Sequence, residues 1–465
     1  MERLSWEKLL SGVRRRDIHQ GGESAGTGAS RTEAERDYDR VLFATPTRRL
    51  ADKTQVYPME ENDSIRTRLT HSYEVSNLAR SIGVRLAFEH AEEVFGENHE
   101  ELQVKRNVPS MLAAVGLAHD LGNPPFGHQG EQAISQWFKT LSASESDLMI
   151  PDDFLSFDGN AQTLRLLTKL QVLNDEFGLN LTCGTLAALI KYPSVYGSGN
   201  KHGFKKHGVF KSEESVIEDV WKQTGLCEGR RHPLTYVMEA CDDIAYSIID
   251  AEDTVKKGYA SFYDLMDFLE SFAPDDAVIK KVVDKSRKKN EEFKKEKVSS
   301  RQLNDISMQM FRVFAIAEMV PAATDIFVKN IDRIMNGDLT SDFELIDLSP
   351  CAALCKTAKN FDIRYGFKHR DVLKLELTGN NYISEMLSNL WEAVSKDGDD
   401  KGAYEKFIYG DISENYRLIY ESSRKQAGNE NYAKFQLLCD VVSGMTEKYL
   451  VNRCLEYRSL YYETR

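Results

Sequence analysis

The chain has 465 residues, of which 41% are hydrophobic and 29% charged, the composition of an ordinary globular protein. Its formal net charge of −13 argues against a protein that coats nucleic acid, although a local cationic pocket remains compatible with it. No apolar run reaches about 18 residues, so we expect no membrane span, and the start lacks the apolar segment of a signal peptide. Seven scattered cysteines predict buried thiols in a reducing cytoplasm rather than disulfides or a zinc site.

Helical patterns dominate the chain after a Gly/Ser-rich segment at 18–33. That segment lacks the Gly-Lys-Ser/Thr signature and the preceding strand of a phosphate-binding loop, so it predicts a mobile loop. Residues 72–94 carry apolar side chains at helical spacing and predict an amphipathic helix. Residues 110–119 are almost wholly apolar and predict a buried helix that the following Gly/Pro-rich turn ends.

Further helices are predicted at 161–173, 182–191, 212–224, 234–256, 304–335 (in pieces), 380–394, 413–426 and 431–459. Strand signals are sparse, and 206–211 and 372–377 are the nearest to short strands. We therefore predict a mainly α fold with at most a few short strands and without a Rossmann-type sheet.

One stretch concentrates polar groups at the end of the predicted buried helix, and it reads His119-Asp-Leu-Gly-Asn-Pro-Pro-Phe-Gly-His128. A buried helix end has unsatisfied carbonyls, and the His119 and Asp120 side chains there need partners of their own. A metal ion would satisfy both side chains. For this dipeptide alone, the alternative is a structural His–Asp pair.

Two more candidate metal ligands lie elsewhere in the chain. His71 opens an amphipathic helix, where a helix cap or a surface role is the alternative. Asp242 is one of two adjacent acids in an otherwise apolar helix, an unusual place for charge. Two imidazole nitrogens and two carboxylate oxygens suit a six-coordinate divalent cation: Mg²⁺ or Mn²⁺, with Co²⁺, Ni²⁺ or Fe²⁺ as further candidates.

His128 and Glu131 are three residues apart and therefore share one face of a helix. A histidine can protonate a leaving oxygen or activate water, and a nearby glutamate can orient it and raise its basicity. The pair predicts acid–base chemistry, with a surface cap as the alternative. Together with the candidate ligands, it predicts a metal-dependent phosphohydrolase.

These residues resemble the metal quartet of the HD-domain phosphohydrolases. A wider set of motifs, in order from about residue 36 to 459, resembles the bacterial deoxyguanosinetriphosphate triphosphohydrolases. Its members are Thr54-Gln-Val56, Arg66-Thr-Arg-Leu-Thr-His71, the stretch from His119 to His128, Gly159-Asn-Ala-Gln162, Ala240-Cys-Asp-Asp-Ile-Ala-Tyr246 and Ser443-Gly-Met-Thr446. The resemblance implies an HD-type helical core and metal-dependent hydrolysis of dGTP to deoxyguanosine and inorganic triphosphate.

The resemblance also implies roles for individual residues. It favours Asp242 over Asp243 as the ligand, because the ligand acid precedes the sugar-stacking tyrosine, here Tyr246, by four residues. Gln55 and Asp250 match positions that hold the 3′-hydroxyl. Triphosphate contacts are predicted for Arg68, Lys191, Tyr192 and Lys206, and a base contact for Glu376.

We expect three parts: an N-terminal segment with the Gly-rich loop (1–35), an HD-type catalytic core (36–270) and a helical region completing the base pocket and oligomer contacts (271–465). The resemblance implies a homo-oligomer, with a hexamer among the expected states, and single-stranded DNA as a second partner. We expect a cytoplasmic protein. Two alternatives stay open: a broad-specificity dNTP triphosphohydrolase or other HD-domain nucleotide phosphohydrolase, and a non-catalytic nucleotide-sensing or single-stranded DNA-binding scaffold.

Overall fold

The computed structural model describes residues 2–21, 30–59, 62, 64–171, 176–197, 203–396, 400–425 and 430–463. These residues are mostly helical and form no sheet, which confirms the predicted mainly α fold. Among them, no helix has the length and apolar character needed to span a membrane.

The α-helices of the first half are α1 (Trp6–Leu9), α2 (Arg15–Gln20), α3 (Glu33–Phe43), α4 (Thr45–Arg49), α5 (Arg68–Glu89), α6 (Ala91–Phe95), α7 (Val104–Ala118), α8 (Gly127–Ser144), α9 (Asp152–Leu155), α10 (Gly159–Arg165), α11 (Cys183–Leu189), α12 (Glu214–Thr224), α13 (Pro233–Ile244) and α14 (Asp250–Lys256). Those of the second half are α15 (Phe262–Phe272), α16 (Ala277–Lys294), α17 (Ser300–Lys329), α18 (Ile331–Asn336), α19 (Ala352–Phe361), α20 (Arg370–Ser395), α21 (Ala403–Asp411), α22 (Glu414–Arg424), α23 (Glu430–Gly444) and α24 (Glu447–Glu463). Wider π-type turns occur at Leu166–Leu170, Ala245–Ile249 and Asp362–Phe367, and short 3₁₀ turns at Leu50–Asp52, Glu97–His99 and Lys211–Glu213.

The centre of the fold is α7, which is buried because α3, α5, α11 and α13 pack around it. This packing explains why the sequence of α7 is apolar on nearly every side. α5 runs close against α7, and a Cβ added at Gly116 would lie 2.8 Å from the Cα of Ser76. α13 packs against both α5 and α7. The start of α5 and the ends of α7 and α13 therefore meet at one place.

We expect Gly116→Ala to lower the free energy of unfolding by about 1–3 kcal/mol, the usual effect of overpacking a core, because the added methyl group meets backbone atoms. Gly410→Ala in α21 is the matched control: no atom lies within 4 Å of its added Cβ, and alanine favours a helix interior by about 0.5–1 kcal/mol. Chemical denaturation of both variants measures the difference. Equal unfolding midpoints would contradict a tight α5–α7 contact.

Neither of the two segments with the nearest strand signals forms a strand, which agrees with the predicted mainly α fold. Residues 372–377 lie in α20, which begins after His369, whose side chain accepts a hydrogen bond from the Asp371 backbone. Residues 206–211 contribute only one isolated bridge, Val209 to Val195. The adjacent Val209 and Phe210 favour a strand locally, but the described residues supply no neighbouring strand to pair with this segment.

The prediction of a single helix over 431–459 is wrong, because the helical conformation is interrupted between Gly444, where α23 ends, and Glu447, where α24 begins. Two basic side chains donate hydrogen bonds to the carbonyl oxygens at the end of α23. Lys53 Nζ lies 2.6 Å from the Ser443 carbonyl oxygen, and Arg49 Nη1 lies 3.0 Å from that of Gly444. These contacts satisfy acceptors that a helix end leaves without partners.

Three other predictions fall partly on residues that the structure does not describe, one of them being the helix predicted at 413–426, whose residue 426 lies outside. Of the loop predicted at 18–33, residues 22–29 are not described, whereas 18–20 belong to α2. Residues 172–173 of the helix predicted at 161–173 also lie outside the described residues. The division into three parts stays a prediction.

Candidate metal centre and active-site cavity

Three polar side chains converge where the helix ends meet. His71 lies in the first turn of α5, His119 directly follows α7, and Asp242 lies near the end of α13. One potential ligand atom from each lies within 4.8 Å of the other two. Asp242 Oδ1 is 3.3 Å from His71 Nε2 and 3.6 Å from His119 Nε2. We call these three residues the ligand cluster.

The hydrogen bonding of His119 fits a metal ligand. Its Nδ1 lies 2.8 Å from the Gly116 carbonyl oxygen, which can only accept, so Nδ1 carries the hydrogen. In the neutral ring, Nε2 then presents its lone pair 3.6 Å from both Asp120 and Asp242. This buried nitrogen has no hydrogen-bond partner. A buried imidazole nitrogen with a free lone pair, together with facing carboxylates, is a set of ligands that divalent cations bind.

Electrostatics within the cluster favour a bound positive charge. Burial lowers the pKa of His119, but the carboxylates of Asp120 and Asp242 outweigh burial and raise that pKa to about 9. Burial would raise the pKa of Asp242, yet contacts with His119 and His71 hold it well below its usual range. A divalent cation would compete with the proton for these groups, as metal ligands require.

Asp120, the fourth predicted ligand, lies beside the cluster and has two firm partners. Its Oδ1 accepts a hydrogen bond from Asn123 Nδ2 at 2.6 Å, and its Oδ2 accepts one from Arg68 Nη1 at 2.5 Å. Arg68 passes close to Gly127, where a Cβ would lie 2.2 Å from its Nη2. Glycine at 127 therefore leaves room for the arginine that orients Asp120.

His128 and Glu131 form a hydrogen-bonded pair at the start of α8, with His128 Nδ1 2.8 Å from Glu131 Oε2. Glu131 is buried, and its Oε1 accepts a hydrogen bond at 2.7 Å from the Gly159 backbone, where α10 begins. The side chain of His128 is 67% exposed, so it is accessible to a ligand. The hydrogen bond to Glu131 outweighs partial burial and raises the pKa of His128.

A cavity of about 360 Å³ joins the ligand cluster to this pair. The predicted site residues in its wall are Gln55, Arg68, His71, Asp120, His128, Glu131, Asp242, Tyr246 and Glu376. Gln55 Oε1 is buried and has no hydrogen-bond partner. Glu376 reaches the cavity from α20, and partial burial raises its pKa.

Tyr246 has an aromatic ring and a lysine beside it. Its ring stacks on Phe367 with centroids 5.8 Å apart, and Lys359 Nζ lies 5.8 Å from the Tyr246 centroid. Lys359 also donates to Asp243 at 2.6 Å, so Asp243 pairs with a lysine while its neighbour joins the ligand cluster. Asp250 is fully buried, neither carboxylate oxygen has a partner, and burial raises its pKa well above the usual range.

Lys206 lies in the wall of a neighbouring polar cavity of about 610 Å³ that shares His128 and Glu131 with the first. Its Nζ is 2.6 Å from Asp158 Oδ2 and 3.9 Å from Glu131 Oε2. These carboxylates outweigh burial and raise the pKa of Lys206, so its positive charge is retained.

Lys191 and Tyr192 are not among the wall residues of either cavity as described. Lys191 Nζ lies 3.5 Å from Glu239 Oε1 and 5.9 Å from the Tyr192 ring centroid. Burial lowers the pKa of Lys191, but the charges of Glu239 and Asp242 raise it overall. Lys191 therefore lies near enough to the ligand cluster to interact electrostatically with Asp242.

Sequence reasoning missed several residues that shape the site. Asn123 and Phe126 lie inside the motif from His119 to His128 but received no role. Phe367 and Lys359 lie more than a hundred residues after Tyr246 and carry no local signal. A polar residue between two recognised motif members is the signal that would have pointed to Asn123.

Comparisons with known proteins agree with this geometry. The family model of the HD domain matches residues 68–156, a segment that holds both histidines of the ligand cluster and the His128–Glu131 pair. A deoxyguanosinetriphosphate triphosphohydrolase-like protein of Listeria monocytogenes is 35% identical over 471 residues, covering 96% of this chain and 97% of its own length.

Two further relatives match over nearly their full length. A protein of Synechocystis sp. with the same description is 30% identical over 470 residues, covering 96% of this chain and 97% of its own. The deoxyguanosinetriphosphate triphosphohydrolase of Serratia proteamaculans is 30% identical over 496 residues, covering 92% and 95%. With identity and coverage at this level, the chain belongs to the deoxyguanosinetriphosphate triphosphohydrolase-like family of HD-domain proteins.

Proposed function

We propose that this protein is a metal-dependent triphosphohydrolase that cleaves dGTP into deoxyguanosine and inorganic triphosphate. The observation that carries the proposal is that the ligand cluster and the His128–Glu131 pair adjoin one cavity. Relatives described as deoxyguanosinetriphosphate triphosphohydrolases support the choice of substrate.

The proposed ligands of the divalent cation are His71, His119, Asp120 and Asp242. Their mixed nitrogen and oxygen donors suit Mg²⁺ or Mn²⁺, and also Co²⁺, Ni²⁺ or Fe²⁺. When bound, the cation supplies positive charge that polarises a phosphoryl group. The hydrogen bonds of Asn123 and Arg68 to Asp120 orient that carboxylate before the substrate arrives.

His128 is the proposed acid–base group. Because its Nδ1 faces Glu131, its Nε2 is the atom that would exchange a proton with the substrate, which would replace the Gln132 side-chain amide that lies 3.1 Å from Nε2. Hydrolysis requires water to attack the α-phosphorus while the bond to the 5′-oxygen breaks. Nε2 takes the proton of that water or protonates the departing 5′-oxygen, and both tasks need the ring held as Glu131 holds it.

Cationic side chains are the proposed binding groups for the triphosphate. Arg68 has a buried Nε without a hydrogen-bond partner, and its guanidinium lies at the cavity wall. Lys206 lies next to His128 in the adjoining cavity, and Lys191 with Tyr192 lies near the ligand cluster. These groups would stabilise negative charge that develops as the triphosphate leaves.

Unpartnered polar groups support the proposed sugar contacts: Gln55 lies in the cavity wall, whereas Asp250 is buried and is not among the residues that line the cavity. Gln55 Oε1 and the Asp250 carboxyl are buried without partners, and both suit a 3′-hydroxyl. Tyr246 would lie against the deoxyribose face. Glu376 is the proposed partner of the guanine edge, since a carboxylate accepts hydrogen bonds from the base N–H groups.

A product assay tests the proposal. Purified protein is incubated with each dNTP and with Mg²⁺ or Mn²⁺, and nucleoside and triphosphate are resolved by ion-exchange chromatography. We expect deoxyguanosine and triphosphate in equal amounts. Comparable rates for all four dNTPs would indicate a broad-specificity enzyme, and release of phosphate or pyrophosphate would contradict a triphosphohydrolase.

We expect the wild type to prefer dGTP over GTP by roughly tenfold to a few hundredfold in kcat/KM, because a ribose 2′-hydroxyl against Tyr246 is buried without a partner. Tyr246→Ala should narrow this ratio and slow dGTP turnover. Tyr263→Ala, at a partly exposed tyrosine on α15, is the control and should leave the ratio unchanged. An unchanged ratio in Tyr246→Ala would mean that the sugar is recognised elsewhere.

We further propose a homo-oligomer, with a hexamer as one expected state, single-stranded DNA as a second partner and a cytoplasmic location. The three-part division into 1–35, 36–270 and 271–465 belongs to the same proposal. Light scattering of the purified protein, alone and with an oligonucleotide, tests assembly and DNA binding together.

A further inference from the structure

A buried glutamate connects the last helix to the active-site cavity. Glu447 is the first residue of α24 and directly follows the motif Ser443-Gly-Met-Thr446. It is only 3% exposed. A carboxylate buried this deeply needs several hydrogen bonds.

Both carboxylate oxygens of Glu447 are fully used. Oε1 accepts hydrogen bonds from the backbone N–H groups of Thr54 at 2.9 Å and Phe126 at 3.2 Å. Oε2 accepts one from the backbone N–H of Met59 at 3.2 Å and one from the Thr54 hydroxyl. One side chain thus binds two segments that lie about seventy residues apart in sequence.

Those two segments contribute to the wall of the proposed active site. Thr54 precedes Gln55, whose unpartnered Oε1 is available to a substrate hydroxyl. Phe126 precedes the first two residues of α8, the second of which is His128. Glu447 therefore links the backbone next to Gln55 to the backbone two residues before His128.

The Phe126 turn depends on outside support. Its backbone has φ +63°, in the left-handed region that bulky side chains rarely adopt. Its ring packs so tightly on α20 that a Cβ at Gly379 would lie 2.5 Å from the Phe126 Cγ. A strained turn persists only where its surroundings hold it, and the hydrogen bond to Glu447 is part of that support.

Lys53 strengthens the same connection. Its buried Nζ donates to the carbonyl oxygens of Asn123 and Ser443, both at 2.6 Å. It thereby joins the turn that carries His128 to the end of α23. The two side chains have complementary roles. Lys53 donates to backbone carbonyl oxygens, whereas Glu447 accepts chiefly from backbone N–H groups.

We propose that Glu447 is a positioning residue: by binding the backbone at Thr54 and Phe126, it keeps Gln55 and His128 at the relative positions that hydrolysis requires. The proposal rests on the proposed function for its kinetic consequence, whereas the positioning itself is measurable without any reaction. A misplacement of about 1 Å in an active site lowers a rate by about a hundredfold. A loss of that size is what the removal of these hydrogen bonds is expected to cause.

The first experiment measures backbone protection in Glu447→Gln. The side-chain amide nitrogen cannot accept, so only one of the two side-chain atoms still accepts and some of the four donor groups lose their acceptor. Glu456→Gln is the matched control, since Glu456 is an exposed residue of the same helix. We expect faster amide hydrogen exchange in peptides covering 54–59 and 124–128 in Glu447→Gln only. Unchanged exchange in both peptides would overturn the proposal.

The second experiment compares kcat/KM for dGTP and for 2′,3′-dideoxyguanosine triphosphate, which lacks the hydroxyl assigned to Gln55. We expect Glu447→Gln to lose about a hundredfold on dGTP and to narrow the ratio between the two substrates, with metal content unchanged. Lower activity with an unchanged ratio would overturn the positioning role. If Glu447→Gln does not fold, Glu447→Asp keeps the charge, shortens the reach by one methylene group and is judged by the same readouts.

The two proposals fail separately. If the wild type releases no triphosphate from dGTP, the proposed function is wrong, and the exchange measurement still decides whether Glu447 holds the two segments. If the wild type hydrolyses dGTP and exchange at both segments is unchanged in Glu447→Gln, the hydrolase stands and the positioning role falls.

Discussion

His119→Ala is expected to remove the bound metal and to lower dGTP hydrolysis by at least about a thousandfold, since a cation supplies several kcal/mol to phosphoryl transfer. The substitution deletes a buried nitrogen that faces both Asp120 and Asp242. The carboxylates left behind repel each other without that ring and its cation. Metal per chain, measured by plasma mass spectrometry, and triphosphate release check the two parts of this expectation.

Asp120→Ala is expected to act in the same direction, because it removes an adjacent donor and leaves Arg68 without its partner. His90→Ala provides the control: His90 follows α5 and contacts Glu93, away from the cluster. It should keep both metal and activity. Full metal occupancy in His119→Ala and Asp120→Ala would mean that these residues are not ligands.

His128→Ala is expected to keep the metal and to lose at least about a hundredfold in kcat, the usual scale for a general acid–base group. His128 is not part of the ligand cluster, so its loss should leave the cation in place. The hydrogen bond to Glu131 orients the ring and raises the pKa of His128, which suits it to exchange protons. Steady-state rates and metal content of the same preparation provide the measurement.

Gln129→Ala is the matched control for this substitution, because Gln129 is the next residue of α8 and also lies in the cavity wall. It carries no group that titrates, so a small change in rate is expected. Turnover close to wild type in His128→Ala with bound metal would show that His128 has a structural role, and the proton would then have to be transferred by another group.

The sequence predicted the parts of this protein that depend on local patterns. α5 was predictable because the spacing of its apolar side chains reports which face is buried, and α7 because residues 110–119 are almost wholly apolar. The candidate site was visible for a similar reason, since His119 and Asp120 are adjacent and His128 and Glu131 are one helical turn apart. The motifs also sufficed to indicate the family to which the chain belongs.

Short patterns failed where tertiary context decides the conformation. Residues 372–377 alternate like a strand, but they continue into the helical pattern of α20 and have no described strand beside them. The end of α23 at Gly444 was equally hidden, because the basic side chains that donate to its carbonyl oxygens come from residues nearly four hundred positions earlier. Local propensity cannot report such partners.

What the sequence by itself determined was the helical class, the identity of the candidate ligands and the candidate acid–base pair. The tertiary structure places Asp242 with the histidines, as the resemblance implied, and only the tertiary structure revealed that Asp243 pairs with Lys359. It alone connected Glu447 to Thr54 and to the turn before His128. The physical reason for this difference is that the periodicity of side chains is a property of each segment alone. A hydrogen bond between distant segments exists only after packing has brought its donor and acceptor within about 3 Å.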